Sequence, residues 1–324
     1  MLTEVVLLQK GIDTMSKQNT FVILSRTDGL KISVLTSVPE LKEGKKLRGV
    51  VQILHGMCEY KERYQELIKY LNDRGFACVI HDHRGHGASV NRKDDLGYMY
   101  GVGAEGFLDD ILQINDWIAK EFPGVPVILF GHSMGSLAAR SFVKEHDDRV
   151  KALILSGPPS NNPGRLGGTM LAKLQRKVRG ARSRGELIEK LAFGGYVAQC
   201  PESRCAWVCS DREVVRKYEN DPFCRFTFTV DAYLVLFEMM RRTYDSRGWV
   251  CSQPKLPILF LGGADDPCIG GEDKFNEELD YMQRVGYGEV TGKLYTGMRH
   301  EICNETRKEV VYQDIVDFLQ QNHF

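Results

Sequence analysis

The chain is short of the features that would send it to a membrane or to nucleic acid. No apolar run reaches the length of about 18 residues that a membrane-spanning helix needs. Lysine plus arginine number 43 and aspartate plus glutamate 43, so no net charge creates a field that gathers polyanions, and no nucleic-acid partner is expected. Residues 1–11 hold Glu4, a brief apolar stretch and no small-residue cleavage site, which excludes an export signal and leaves the cytoplasm as the expected compartment. Met15 is an alternative start, because residues 16–20 are polar and the first strand-like run opens only at Phe21. Paired cysteines are missing too. Nine is an odd number scattered through a chain of 324 residues, which points to free thiols in a reducing compartment. Cys200, Cys205 and Cys209 form the only cluster, without C-x-x-C spacing or a nearby histidine, so no metal is expected. Internal repeats and low-complexity tracts are also absent.

What the chain does contain is alternation. Apolar runs rich in β-formers recur at residues 21–24, 32–38, 49–54, 77–80, 125–130, 151–155, 257–261 and 293–295. From the third onward they alternate with segments at 64–74, 106–122, 136–145, 273–284 and 305–321, whose apolar residues return every three or four positions. Such crossovers predict an α/β fold with a mostly parallel sheet and helices on both faces. Between Gly157 and Pro254 the alternation stops, and a turn-rich opening leads into helical and irregular sequence. An insertion at the carboxyl edge of such a sheet overlies the ligand crevice. The expected organisation is therefore an N-terminal extension at 1–20, a core at 21–156 and 255–324, and a mainly helical cap at 157–254.

One short segment concentrates the chemistry. Gly131-His132-Ser133-Met134-Gly135 lies between the apolar run 125–130 and a helix-forming run, which puts a serine on a sharp strand-to-helix turn. So tight a turn leaves little room beside the serine, which accounts for Gly131 and Gly135, and it aims the Met134 N–H at the same space as the hydroxyl. A serine hydroxyl is a poor nucleophile alone and needs a base, an acid to orient that base, and oxyanion donors. His300, between the last strand run and the last helix, fits the base. The loop after run 257–261 offers Asp265 and Asp266; Asp266 is preferred because Pro267 fixes the backbone behind it, and Asp265 reads as a solvated turn residue. His55-Gly56-Met57 closes the third run, with Gly56 permitting the turn, Met57 adding a second N–H, and His55 holding the loop without proton transfer. His81, His83 and His86 are read as bracing for these loops rather than as metal ligands.

Together these segments resemble the α/β-hydrolase superfamily and, within it, the branch of monoacylglycerol lipases and bacterial lysophospholipases. His55-Gly56-Met57-Cys58-Glu59 with Arg63 and Tyr64 is similar to that branch's HGxxEhxxRY segment, residues 82–89 to its DxRGHGxS loop and 131–136 to its elbow. Asp266-Pro267 and residues 298–305 resemble the DPVG and RHExxNE blocks of the bacterial members, and Trp207, Asp211, Tyr218 and residues 221–226 carry the likeness into the cap. The similarity runs from about Leu30 to the C-terminus. It implies an eight-stranded, mostly parallel sheet, a triad of Ser133, His300 and Asp266, oxyanion donors at Met57 and Met134, no organic cofactor or metal, and hydrolysis of a lipid ester, monoacylglycerol or lysophospholipid, through an acyl-enzyme. The 34-residue step from Asp266 to His300 matches the branch. Two positions depart from it: Cys268-Ile269 replaces the usual Val-Gly, which keeps both aspartates open, and Arg225 stands where glycine is common.

The nucleophile does not fix the leaving group, so a general carboxylesterase, a thioesterase and a serine peptidase share this constellation. A non-catalytic binding protein on the same fold is the reading outside enzymes; serine at the elbow excludes an epoxide hydrolase or dehalogenase. Within the cap, Leu171, Leu174, Val178, Leu187, Leu191 and Phe193, with Phe223, Phe226, Phe228, Tyr233, Leu236, Phe237 and Met240, read either as cap core or as an acyl groove. Lys173, Arg176, Lys177, Arg179, Arg182, Arg184 and Lys190, against Glu186 and Glu189, read either as a solvated helix face or as a surface for transient contact with a membrane or micelle. No protein partner is implied.

Overall fold

The computed structural model describes the backbone of residues 6–13 and the whole of residues 16–324; both candidate starts, Met1 and Met15, lie outside the described residues. Among these, nine strands make one sheet: β1 (Val6–Asp13), β2 (Ser16–Leu24), β3 (Lys31–Pro39), β4 (Gly49–Leu54), β5 (Phe76–His81), β6 (Val127–His132), β7 (Ala152–Ser156), β8 (Ile258–Gly263) and β9 (Val290–Tyr295). Their order is β1-β2-β3-β5-β4-β6-β7-β8-β9. From β5 to β9 every pairing is parallel, whereas β1, β2 and β3 join antiparallel at one edge.

All eight expected runs are strands, and β1 is the addition. The stretch read as an extension therefore contributes to the sheet, and β2 opens at Ser16 instead of Phe21. The reason is local: residues 17–20 of β2 lie exposed or half-buried, so no apolar alternation marks them. By contrast β4, β5, β6 and β7 are buried at every position, which is why their sequences read as continuous apolar runs.

Helices cover both faces of the sheet. The α1 helix (Gln65–Asn72) and α9 (Lys308–Gln321) pack on one; α2 (Gly103–Glu121), α3 (Met134–His146) and α8 (Glu272–Arg284) pack on the other. Between β7 and β8 come α4 (Arg165–Arg179), α5 (Glu186–Gln199), α6 (Arg212–Asn220) and α7 (Val230–Tyr244). Thr229 caps α7 by accepting from the Ala232 N–H, and Asp211 caps α6 from the Glu213 N–H. The α7 helix packs against α2, α3 and α4 and so seats this segment on the core. Arg184 pins it further, donating to the Thr227 carbonyl at 2.8 Å and the Asp94 carbonyl at 2.9 Å, while Arg182 pairs with Asp95. Those two arginines of the basic run are thus structural rather than part of a solvated face. No helix among the described residues is long and apolar enough to cross a membrane.

Behind the elbow helix, Arg140 of α3 is fully buried and paired with Glu278 of α8, whose carboxylate also accepts the Tyr244 hydroxyl at 2.8 Å. Removing one partner of a buried pair strands the other charge in a medium that solvates it poorly. Arg140→Met is expected to lower unfolding stability by about 3–5 kcal/mol in denaturant titration; a loss below about 1 kcal/mol, the worth of an exposed pair, would show that the charges are not desolvated.

Candidate active site

Ser133 occupies the junction of β6 and α3 with φ 53° and ψ −117°, a backbone conformation rare for a residue with a Cβ. Such a residue costs on the order of 1–3 kcal/mol and persists only where its surroundings dictate it. Here they do. The Ser133 N–H donates to the Ser156 carbonyl at 2.9 Å, and the Ser136 N–H donates to the Ser133 carbonyl at 2.9 Å. A Cβ on Gly135 would lie 2.1 Å from the Leu54 carbonyl oxygen, and one on Gly131 would lie 2.4 Å from the Gly135 carbonyl oxygen. Both glycines are thus dictated by the approach of α3 to β4 and β6.

The serine hydroxyl lies 2.8 Å from His300 Nε2, and His300 Nδ1 lies 2.8 Å from Asp266 Oδ2. An ionised carboxylate only accepts, so Nδ1 carries the proton and Nε2 is left to accept from the serine. Burial works against the charged imidazole, yet the charge and hydrogen bond of Asp266 prevail and raise its pKa above 6.5. Of the two candidate aspartates, Asp266 reaches His300 and is buried, whereas Asp265 is exposed. Asp266 is itself held by the Cys268 N–H, 2.8 Å from its other oxygen.

Met57 and Met134 both line the space above Ser133, and neither N–H has an acceptor among the described residues. His55 is fully buried, its Nδ1–H directed at the Gly56 carbonyl (2.8 Å) and its Nε2 accepting the His83 N–H (2.9 Å). His83 in turn bonds His81 and the His55 carbonyl, both at 3.1 Å. Burial drives the pKa of His81 down to about 3 and that of His86 down to about 4, so these rings are neutral props under the loops.

A cavity of about 1290 Å³ opens over Ser133. Of the apolar side chains named from sequence, Leu171, Leu191, Phe193, Phe226, Leu236, Phe237 and Met240 line it. Phe228 and Tyr233 are instead fully buried packing, and Leu174, Val178 and Leu187 face solvent, at 60%, 72% and 54% exposure. Helical spacing gives the face of a helix but not which of two environments that face meets.

Comparison with known proteins agrees with this geometry. The family described as serine aminopeptidase S33 matches residues 45–307. A monoglyceride lipase of Homo sapiens is 32% identical over 266 residues, 80% of this chain and 77% of that one. The phospholipase YtpA of Bacillus subtilis is 26% identical over 84% of this chain and 95% of its own. Among solved structures, a thermostable carboxyl esterase from Bacillus coagulans in complex with glycerol superposes with a TM-score of 0.86 at 25% identity, covering 95% of this chain and 99% of that one. The chain belongs to the serine aminopeptidase S33 family.

In this S33-family chain a buried ionic clamp ties the loops of the site together, and sequence reasoning gave it no role. Arg63 donates to both oxygens of Glu301 at 2.6 Å and to Glu59 at 3.0 Å. Glu59 also accepts the Tyr64 hydroxyl at 2.8 Å and the Gly56 N–H. One guanidinium therefore connects the turn carrying Met57 to the residue after His300. Burial pushes the Glu59 carboxyl up to about 7 despite Arg63, with the Glu301 charge adding to it. Trp207 was likewise missed: its ring lies 5.1 Å from His300 and stacks on Phe193, while the Glu301 N–H donates to the Val208 carbonyl at 2.7 Å. Glu59, Arg63, Glu301 and Trp207 all stand inside the resembling motifs, which was the signal available.

Because protonated His300 has no lone pair for the serine proton, kcat/KM on a soluble ester is expected to fall on acidification with a midpoint above pH 6.5. Asp266→Asn is expected to move that midpoint down and to lower kcat about 10⁴-fold. An unchanged pH–rate profile in the variant would exclude the Asp266–His300 pair from the reaction.

Proposed function

We propose that this chain hydrolyses the carboxylic ester of a monoacylglycerol through an acyl-enzyme on Ser133. The observation that carries this reading is the Ser133–His300–Asp266 relay, with 2.8 Å at each step, opening onto a large cavity with apolar walls. Drug-sized ligands occupy pockets of about 300–1,000 Å³. The volume here accommodates a long acyl chain together with its glycerol.

In this reading His300 Nε2 takes the Ser133 proton as the oxygen attacks the ester carbonyl, and Asp266 stabilises the imidazolium that forms. The N–H groups of Met57 and Met134, which have no acceptor among the described residues, bind the oxyanion of the tetrahedral intermediate. His300 then gives its proton to the departing alkoxide, releasing glycerol. Water, deprotonated by the same ring, attacks the acyl-enzyme and frees the fatty acid. We read residues 157–254 as the cap that shields this exchange, and the nine free thiols as support for a reducing, cytoplasmic setting.

A lysophospholipid is the second reading. Arg165 and Arg225 line the cavity without an ion pair among the described residues, which gives a phosphate-bearing head group a partner. The peptidase in the family description would have to hold a free ammonium: on the cavity wall Glu59 and Glu301 are engaged by Arg63 and Glu189 by Arg204, which leaves Glu186 and Glu219 as the lining carboxylates without an ion pair among the described residues.

The cap surface supports contact with lipid aggregates. Leu166, Met170, Leu174 and Val178 recur every fourth residue of α4, and with Leu187 and Leu191 of α5 they are six of the ten large apolar side chains exposed on the described residues. Lys173, Lys177, Arg179 and Lys190 flank them, exposed and without ion pairs among the described residues. Apolar exposure on this scale marks an interaction surface, and basic residues beside it add affinity for anionic lipid.

Two experiments test these readings. Wild type and Ser133→Ala are offered monoacylglycerol, lysophosphatidylcholine, an acyl-CoA and a short p-nitrophenyl ester; the wild type is expected to prefer monoacylglycerol and the variant to lose about a millionfold in turnover. Activity confined to the short ester would reduce the reading to a general esterase. In vesicle sedimentation, Leu174→Ser with Val178→Ser is expected to release the protein from anionic liposomes, and equal binding by variant and wild type would rule out the α4 ridge.

A further inference from the structure

We propose that Cys268 converts the acid–histidine pair into an inhibitory binding site for a thiophilic divalent cation such as Zn²⁺. The inference rests on His300 being the base of the reaction.

A carboxylate oxygen of Asp266, the sulfur of Cys268 and a ring nitrogen of His300 all lie within 4.8 Å of one another, and all three residues are buried. No other group of three such donors converges among the described residues. Cys268 and His300 both line the main cavity, so an ion entering with solvent reaches them without opening the fold. Zinc bonds of about 2.0–2.3 Å to oxygen, nitrogen and sulfur set tetrahedral donors roughly 3.5 Å apart, so ligation requires the three to contract by at most about 1.3 Å. The Tyr196 hydroxyl beside the Cys268 sulfur, or a water, is available for the fourth position.

Charge and softness favour the same ion. The thiol gives its proton to solvent as the metal–sulfur bond forms. Thiolate and carboxylate then balance the two positive charges, and the buried complex is neutral. Sulfur with imidazole nitrogen is a donor set that selects zinc and cadmium over magnesium and calcium. Coordination at His300 Nδ1 forces its proton onto Nε2, and coordination at Nε2 occupies the lone pair directly. Either way Ser133 loses the group that takes its proton. The cysteine stands where the resembling branch usually has valine, so Cys268→Val returns the loop to its common form.

Zn²⁺ titration of ester hydrolysis by wild type, Cys268→Val and Cys268→Ser tests the proposal. Wild type is expected to be inhibited and restored by EDTA, with the half-inhibiting concentration about tenfold higher or more in both variants. Half-inhibition within about twofold of wild type in both would overturn it. A second readout needs no catalysis. Cd²⁺ is titrated into Ser133→Ala and into Ser133→Ala with Cys268→Val, following the thiolate-to-cadmium ultraviolet band. One fewer site in the double variant supports the proposal even if the substrate reading fails, and equal stoichiometry rejects it.

Discussion

Everything in this molecule that concerns chemistry depends on one strained turn. Ser133 keeps a positive φ because β6 on one side and α3 on the other leave the chain no other route, and because its N–H is fixed to the Ser156 carbonyl on β7. The glycines around it exist for the same reason: a methyl group at Gly135 would overlap the backbone of Leu54 at the end of β4. That approach brings the turn after β4, and so Met57, next to the N-terminus of α3. The proposed nucleophile and oxyanion donors are thereby set by the packing of the buried strands.

The remaining parts of the site are held by buried charge. Arg63 spans Glu59 and Glu301, so the turn after β4 and the loop after β9 are tied to one another. Asp82 does similar work one loop away, accepting the Lys61 backbone N–H at 2.8 Å and its ammonium at 2.7 Å. Glu305 joins the His300 loop to the inserted segment by accepting the N–H groups of Arg299 and Ser210, both at 2.8 Å. Buried ion pairs are weak sources of stability, but geometry is another matter. Here they fix the relative position of segments far apart in the chain.

Much of this was legible in the sequence, and the limits are physical. Strands β4 to β8 read clearly because burial on both faces forces continuous apolar runs, and the elbow read clearly because a sharp turn between strand and helix tolerates few residue types. Asp266 over Asp265 followed from Pro267 and from spacing. The start of β2 was missed because residues 17–20, exposed or half-buried, carry no apolar alternation. The Arg63 clamp was missed because a charged residue in a one-dimensional sequence does not announce a partner 238 positions away. Leu174 and Val178, read from sequence as core or acyl groove, face solvent instead, because periodicity does not say what lies opposite a helix. Arg182 and Arg184 looked like surface charge, and only three-dimensional contacts give them their anchoring role.

The central claim is that the acyl group is carried on the hydroxyl oxygen of Ser133. The most direct test treats the protein with a long-chain fluorophosphonate, then measures intact mass and maps the modified peptide. One adduct per chain on the peptide containing Ser133, absent after Ser133→Ala or prior saturation with monoacylglycerol, is the predicted result. An adduct on another residue, or none in a folded protein, would contradict the account.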